Sequence, residues 1–143
     1  MCRSLEYLDL SQTELYTLAP LYYLKKLTYL DVSGSTNLVD GDFQVMLDPE
    51  TTAPLQSLFM PDHDSVTNEI IVDSAIMFTT LKRLDLGYRP LNFAEIQRIL
   101  NHLPNLRFLR SCFLDDDMSC PDFHNLRKEF WPALKCIITP YFL

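Results

Sequence analysis

One phrase of apolar positions recurs along the chain. It reads Leu5-Glu6-Tyr7-Leu8-Asp9-Leu10, Leu27-Thr28-Tyr29-Leu30-Asp31-Val32, Leu55-Gln56-Ser57-Leu58-Phe59-Met60 and Leu81-Lys82-Arg83-Leu84-Asp85-Leu86. Two looser copies follow: Leu106-Arg107-Phe108-Leu109-Arg110-Ser111, which lacks the third apolar site, and Leu134-Lys135-Cys136-Ile137-Ile138-Thr139. The phrases start at residues 5, 27, 55, 81, 106 and 134, in steps of 22, 28, 26, 25 and 28. Apolar residues two apart point to the same face of a short strand, and the leading leucine covers the layer below, so the residues between them face outward. A lone strand cannot bury its apolar face, so units repeating at this period stack and share one core.

Between the phrases the apolar spacing changes to a helical period. Asn92 followed by Glu95 has the form of a capping box, and Phe93, Ile96, Ile99, Leu100 and Leu103 make an inward stripe that Pro104 ends. Ser119 and Pro121 open a similar segment, with Phe123, Leu126 and Phe130 on one face and Pro132 closing it. Asp40 to Leu47 predicts a short helix buried through Phe43, Met46 and Leu47, and Ile70 to Phe78 a longer one buried through Ile71, Ala75 and Phe78. The stretch from Leu15 to Leu24 is interrupted by Pro20, which favours a turn or 3₁₀ path over a full helix.

These six phrases, with Thr13 and Leu15 continuing the first of them, resemble the leucine-rich-repeat superfamily over nearly the whole chain. The resemblance implies an α/β leucine-rich-repeat solenoid of five to six repeats, with short parallel strands on the concave face and short helices or loops on the convex face. Residues 1–143 are then one domain. Its first and last repeats lack the polar caps that solenoids need, so the expectation is a fragment of a longer protein, or a chain whose ends are covered by a partner or by self-association. The Leu-Asp-Leu and Leu-Asp-Val phrases followed by Ser, together with Thr13, Ser35 and the Leu18-Ala19-Pro20-Leu21 linker, are similar in style to the repeat region of substrate receptors of cullin-RING ubiquitin ligases, of the Zyg and Zer or F-box kind. The chain departs from those receptors in having no F-box, no elongin-binding segment and no armadillo-like region. What the resemblance implies for this chain is therefore the substrate-facing part alone.

Composition narrows the partners. The chain is 48% hydrophobic and 22% charged, as folded proteins are, and a net charge of −7 opposes the basic footprint that nucleic acids require. No apolar run approaches the roughly 20 residues of a membrane span, and the Met1 to Leu5 start lacks the apolar block of a signal peptide. Cys2, Cys112, Cys120 and Cys136 do not make a dense disulfide framework, and no asparagine opens a glycosylation sequon, so the chain is expected inside the cell, in cytoplasm or nucleus.

Candidate chemistry is sparse. Asp115, Asp116 and Asp117 read as a solvated loop before a helix rather than a calcium site, because the alternating oxygen ligands of an EF-hand are missing. Cys112, Cys120, His124 and Cys136 are the sole zinc candidates, but contain no C-x-x-C pair, and no metal or other cofactor is expected. Asp62, His63, Asp64 and Ser65 have the residue types of a hydrolytic triad, yet sequence neighbours on a turn rarely converge, and a polar turn accounts for them better. With no nucleophile elbow, H-E-x-x-H or phosphate-binding glycine loop, the chain is not expected to be an enzyme.

The outward positions carry the functional expectation. Alternation predicts two columns across the repeats, Tyr7, Tyr29, Ser57, Arg83, Phe108, Cys136 and Asp9, Asp31, Phe59, Asp85, Arg110, Ile138. Aromatic and arginine side chains dominate binding energy at protein interfaces, so Tyr7, Tyr29, Phe59, Arg83, Phe108 and Arg110 are the expected contacts for a protein or peptide partner. Strand preference alone would also favour such residues. The alternative function is a structural scaffold that assembles through uncapped ends.

Overall fold

The computed structural model describes residues 2–113, Leu134 and residues 136–138. Each of the six phrases supplies one strand: β1 (Tyr7–Asp9), β2 (Tyr29–Asp31), β3 (Ser57–Phe59), β4 (Arg83–Leu91), β5 (Phe108–Phe113) and β6 (Cys136–Ile138). All pair in parallel and in chain order, forming one sheet β1-β2-β3-β4-β5-β6, and the protein is α/β. Pairing is phrase on phrase, with Leu8 opposite Leu30, Leu30 opposite Leu58, Leu58 opposite Leu84, Leu84 opposite Leu109 and Leu109 opposite Ile137.

The leading leucine of each phrase stands three residues before the next inward one, a spacing that a flat strand would put on opposite faces. A bend repeated at each junction resolves this. The Glu6 carbonyl accepts from the amides of both Thr28 and Tyr29 at 2.8 and 3.0 Å, and the Thr28, Gln56 and Lys82 carbonyls each accept the equivalent pair from the following phrase. Two residues therefore bulge outward while the leucines on either side turn in. Leu27, Leu30 and Val32 are buried, as are Leu55, Leu58 and Met60, and Leu81, Leu84 and Leu86. Burying a leucine stabilises by about 1.5–3 kcal/mol, so these layers are the main cohesive element.

The helical segments pack behind the strands. The 3₁₀ turn Ala19–Tyr23 touches α1 (Gln44–Leu47), α1 touches α2 (Asn68–Ile76), and α2 touches α3 (Phe93–His102). In α3 the expected capping box forms: the Asn92 side chain accepts from the Glu95 amide and Glu95 returns the bond to the Asn92 amide, both at 2.9 Å. Ile96, Ile99, Leu100 and Leu103 are its buried stripe, with Phe93 half-buried. The short helix over 40–47 is a 3₁₀ turn, Asp40–Phe43, running into α1, and buries Phe43 and Met46 while Leu47 stays half-buried. Helix α2 begins two residues earlier than the apolar stripe indicates, because Thr67 accepts from the Ile70 amide as an N-cap. The expectations for Ser119 to Pro132 lie outside the described residues.

The three-residue cores of β1 to β4 are each followed by a turn of related design. In β1, β2 and β4 the last residue of the three-residue core is aspartate, and its side chain accepts from the amide two residues on, Asp9 from Ser11, Asp31 from Ser33 and Asp85 from Gly87, each at 2.9 Å. In β3 that place is Phe59, and the residue two further on is Pro61, which has no amide hydrogen to cap. A left-handed residue follows directly in the first three turns, Gln12, Gly34 and Asp62, and in the fourth it is the capped residue itself, Gly87, with φ between 58° and 74°. At Gly87 the glycine is required twice over, since a Cβ there would also lie 2.6 Å from the Pro61 side chain.

Candidate partner-binding face

The register brings the two expected columns into line. Tyr7, Tyr29, Ser57, Arg83, Phe108 and Cys136 are consecutive pairing partners, and so are Asp9, Asp31, Phe59, Asp85, Arg110 and Ile138. The six singled-out side chains do more than share a face. Tyr7 and Tyr29 stack with ring centroids 4.1 Å apart and 10° from parallel, and Tyr29 meets Phe59 at 5.3 Å. The Arg83 guanidinium lies 5.2 Å from the Phe59 ring and 4.3 Å from that of Phe108, so it is held between two aromatic faces. Tyr7, Tyr29, Phe59, Arg83 and Phe108 thus form one unbroken ladder across five strands. Tyr7 and Arg83 are exposed, and Tyr29, Phe59 and Phe108 half-buried.

Arg110 belongs to a second group. Its guanidinium lies 5.0 Å from the ring of Tyr88, and its Nη1 is 3.6 Å from a carboxylate oxygen of Asp85. Asp85 is the exception to the outward reading. It is only 6% exposed, its carboxylate turned back to cap Gly87, and the strand bulges between Asp85 and Pro90. Tyr88 stands on that bulge, 57% exposed, and no periodicity could place it because the bulge breaks the period.

A third row was also missed: Glu6, Thr28, Gln56, Lys82 and Arg107, which runs along the edge where the strands begin. Its signal in the sequence is the second outward position of each phrase, released by the bends described above. Four of its members are exposed and Thr28 is half-buried, and Lys82 donates to the Gln56 side chain at 3.2 Å.

Electrostatics vary along the ladder. Burial, the hydrogen bond with Tyr7 and the charges of Asp31 and Asp9 push the Tyr29 hydroxyl up to about 12. Asp9 is held below the usual carboxylate range by its bonds to Ser11. Both effects act at the β1–β2 end, where no cation stands in the three rows.

The Asp62 to Ser65 cluster does not converge. His63 is fully buried and its Nδ1 lies 3.1 Å from the Ser35 carbonyl, whereas Asp62, Asp64 and Ser65 are exposed. Arg89 ties this turn to β4 by donating to the carbonyls of Val66 and His63 and to Asn68. Among the described residues no group of three or more His, Cys, Asp or Glu side chains could hold a metal ion, and no helix is long and apolar enough to cross a membrane. Asp115, Asp116, Asp117, Cys120 and His124 lie outside those residues.

No protein-family model, curated protein or solved structure matches the chain.

Proposed function

We propose that the protein is a leucine-rich-repeat solenoid that binds another protein on its concave face, and that it does so without catalysing a reaction. The observation that carries this reading is the ladder of Tyr7, Tyr29, Phe59, Arg83 and Phe108, with Arg110 beside it: six aromatic and arginine side chains, drawn from positions spread between residues 7 and 110, share the outward register of one sheet. Such residue types supply most of the binding energy where proteins meet, and ring stacking fixes their rotamers before a partner arrives, which lowers the entropy lost on association.

The motif resemblance supports a more specific role, as the substrate-recognition part of a cullin-RING ubiquitin ligase acting in the cytoplasm or nucleus. Affinity purification from cells tests both levels, comparing the wild-type chain with Phe59→Ala and Arg110→Ala. Loss of one defined set of proteins from both variants, with the fold intact, supports the binding face, and an unchanged set overturns it. Cullin or elongin subunits co-purifying with the full-length gene product support the ligase role; their consistent absence removes it.

One observation favours the scaffold reading as a second. Leu5, Leu8, Leu10 and Leu15 are only half-buried on the β1 side, whereas the register partners of Leu8 on the later strands, Leu30, Leu58, Leu84 and Leu109, are 0–1% exposed. Light scattering decides it: a monomer at high concentration argues against assembly through that edge.

A further inference from the structure

The three outward rows sort charge along the sheet. Within these rows β1 and β2 contribute Glu6, Asp9 and Asp31 and no cation, the nearby Arg3, Lys25 and Lys26 standing before the rows begin, and at β3 Gln56, Ser57 and Phe59 are neutral. On β4 and β5 stand Lys82, Arg83, Arg107 and Arg110, with one carboxylate, Asp85, already engaged by Arg110 and the Gly87 amide. A face that is acidic at one end and basic at the other is set on a chain whose overall charge is −7.

The two ends also differ in what their groups have left to offer. Among the described residues the Arg83 side chain makes no hydrogen bond or ion pair; its contacts are the two rings that clamp it, which hold the guanidinium plane and leave its N–H donors open. A carboxylate accepts two such donors side by side, the strongest pairing a guanidinium makes. At the other end the stacked pair Tyr7 and Tyr29 presents an exposed aromatic surface flanked by Asp9 and Asp31, and an ammonium or guanidinium is attracted both by ring faces and by carboxylates. β1 and the Arg83 strand, β4, lie three strand spacings apart, about 14 Å, a distance that about four extended residues would span.

We infer that the partner of this face is a polypeptide segment with basic side chains at one end, seated on Tyr7, Tyr29, Asp9 and Asp31, and an acidic side chain at the other, seated on Arg83. The inference rests on the concave-face reading above and adds the chemistry of what is bound. A polypeptide is favoured over a nucleic acid because the acidic half of the face repels a phosphate backbone that the basic half attracts.

The test uses the whole chain and fluorescein-labelled peptides at low ionic strength. The probe is Lys-Lys-Ser-Ala-Ser-Ala-Glu-Glu; the controls carry Gln at all four charged places, Glu at all four, or Lys at all four. The expected order puts the mixed peptide about tenfold tighter than any control, with affinity falling as salt rises. Asp9→Asn with Asp31→Asn removes the charges but keeps the side-chain oxygens that cap the turns, and should weaken the mixed peptide while leaving the all-Glu peptide unchanged or tighter. Arg83→Gln should weaken both, by about tenfold for the mixed peptide, with partial recovery in Arg83→Lys. Equal affinity for the mixed and neutral peptides, lost in Tyr29→Ala but not in the charge variants, overturns the charge matching and leaves the binding face standing. No binding by any peptide overturns the inference, and the cell purification then judges the face alone. Preference for a single-stranded oligonucleotide of matched length also overturns it.

Discussion

Asp85 and Arg110 meet across β4 and β5, with one Asp85 oxygen 3.6 Å from the Arg110 guanidinium while the other caps the Gly87 amide at 2.9 Å. One buried carboxylate therefore holds a surface arginine over Tyr88 and closes the turn that ends the phrase. Replacing Asp85 by Ala strands the Gly87 amide, and a buried donor left unpaired costs about 1–3 kcal/mol. Asp85→Asn keeps an acceptor for that amide and should lose less than half as much. Urea unfolding of the two variants checks this; equal losses would mean that the charge pair, and not the cap, matters. Asp9→Ala, at the equivalent but fully exposed place, should change the midpoint less than Asp85→Ala.

Tyr29 gives the ladder a spectroscopic reporter. Its hydroxyl is held neutral up to about 12, first by burial and then by Tyr7 and the neighbouring aspartates, against about 10 in an unfolded chain. Because the folded value is the higher one, the associated stability is complete below about pH 10 and is lost as pH rises toward 12. Absorbance at the tyrosinate band should show one tyrosine ionising later than the ordinary ones. That late step should be absent in Tyr29→Phe. It should move to lower pH in the Asp9→Asn, Asp31→Asn double variant, and a late step of unchanged size in Tyr29→Phe would show that another ring is responsible.

Much of this arrangement was legible in the sequence, and the reasons are local. The strands follow the period of the phrase, so the register of both columns could be written down from Leu8, Leu30, Leu58, Leu84 and Leu109 alone. The cap of α3 was legible because Asn92 and Glu95 need only each other. The role of the aspartates was not: alternation says that they face outward, and only the turn geometry turns their oxygens back onto Ser11, Ser33 and Gly87. Alternation marks Phe59 only as an outward contact residue, and it stands where Pro61 removes the need for a cap. Tyr88 and the burial of Asp85 were hidden by the bulge, since a period carries no information about residues outside it.

His63 should make the protein sensitive to mild acid. Burial, reinforced by nearby Arg89, lowers its basicity below the usual histidine range, although the Ser35 carbonyl and Asp62 act the other way. The unfolded chain therefore binds the proton first, and stability present above about pH 6.5 declines as pH falls through and below that value. His63→Asn removes the titration while retaining a side-chain donor for Ser35. Its melting temperature should change less between pH 7 and pH 5 than that of the wild type. The same slope in both proteins would assign the acid sensitivity to other groups.

Ser111 occupies the third inward position of its phrase, where the better copies place Leu10, Val32, Met60 and Leu86. It is fully buried, and its hydroxyl meets no hydrogen-bond partner among the described residues. A hydroxyl so placed gives up its bonds to water for nothing, a loss of about 1–3 kcal/mol. Ser111→Ala removes the group and nearly preserves the volume, so it should stabilise the protein by about 1 kcal/mol in urea unfolding. Ser111→Leu, which restores the phrase in letter, should do worse than Ala, because the residues around a serine are packed to its size and extra methylenes force strain. A destabilised Ser111→Ala would show that the hydroxyl is bonded after all, and that the fifth phrase is a specialised copy.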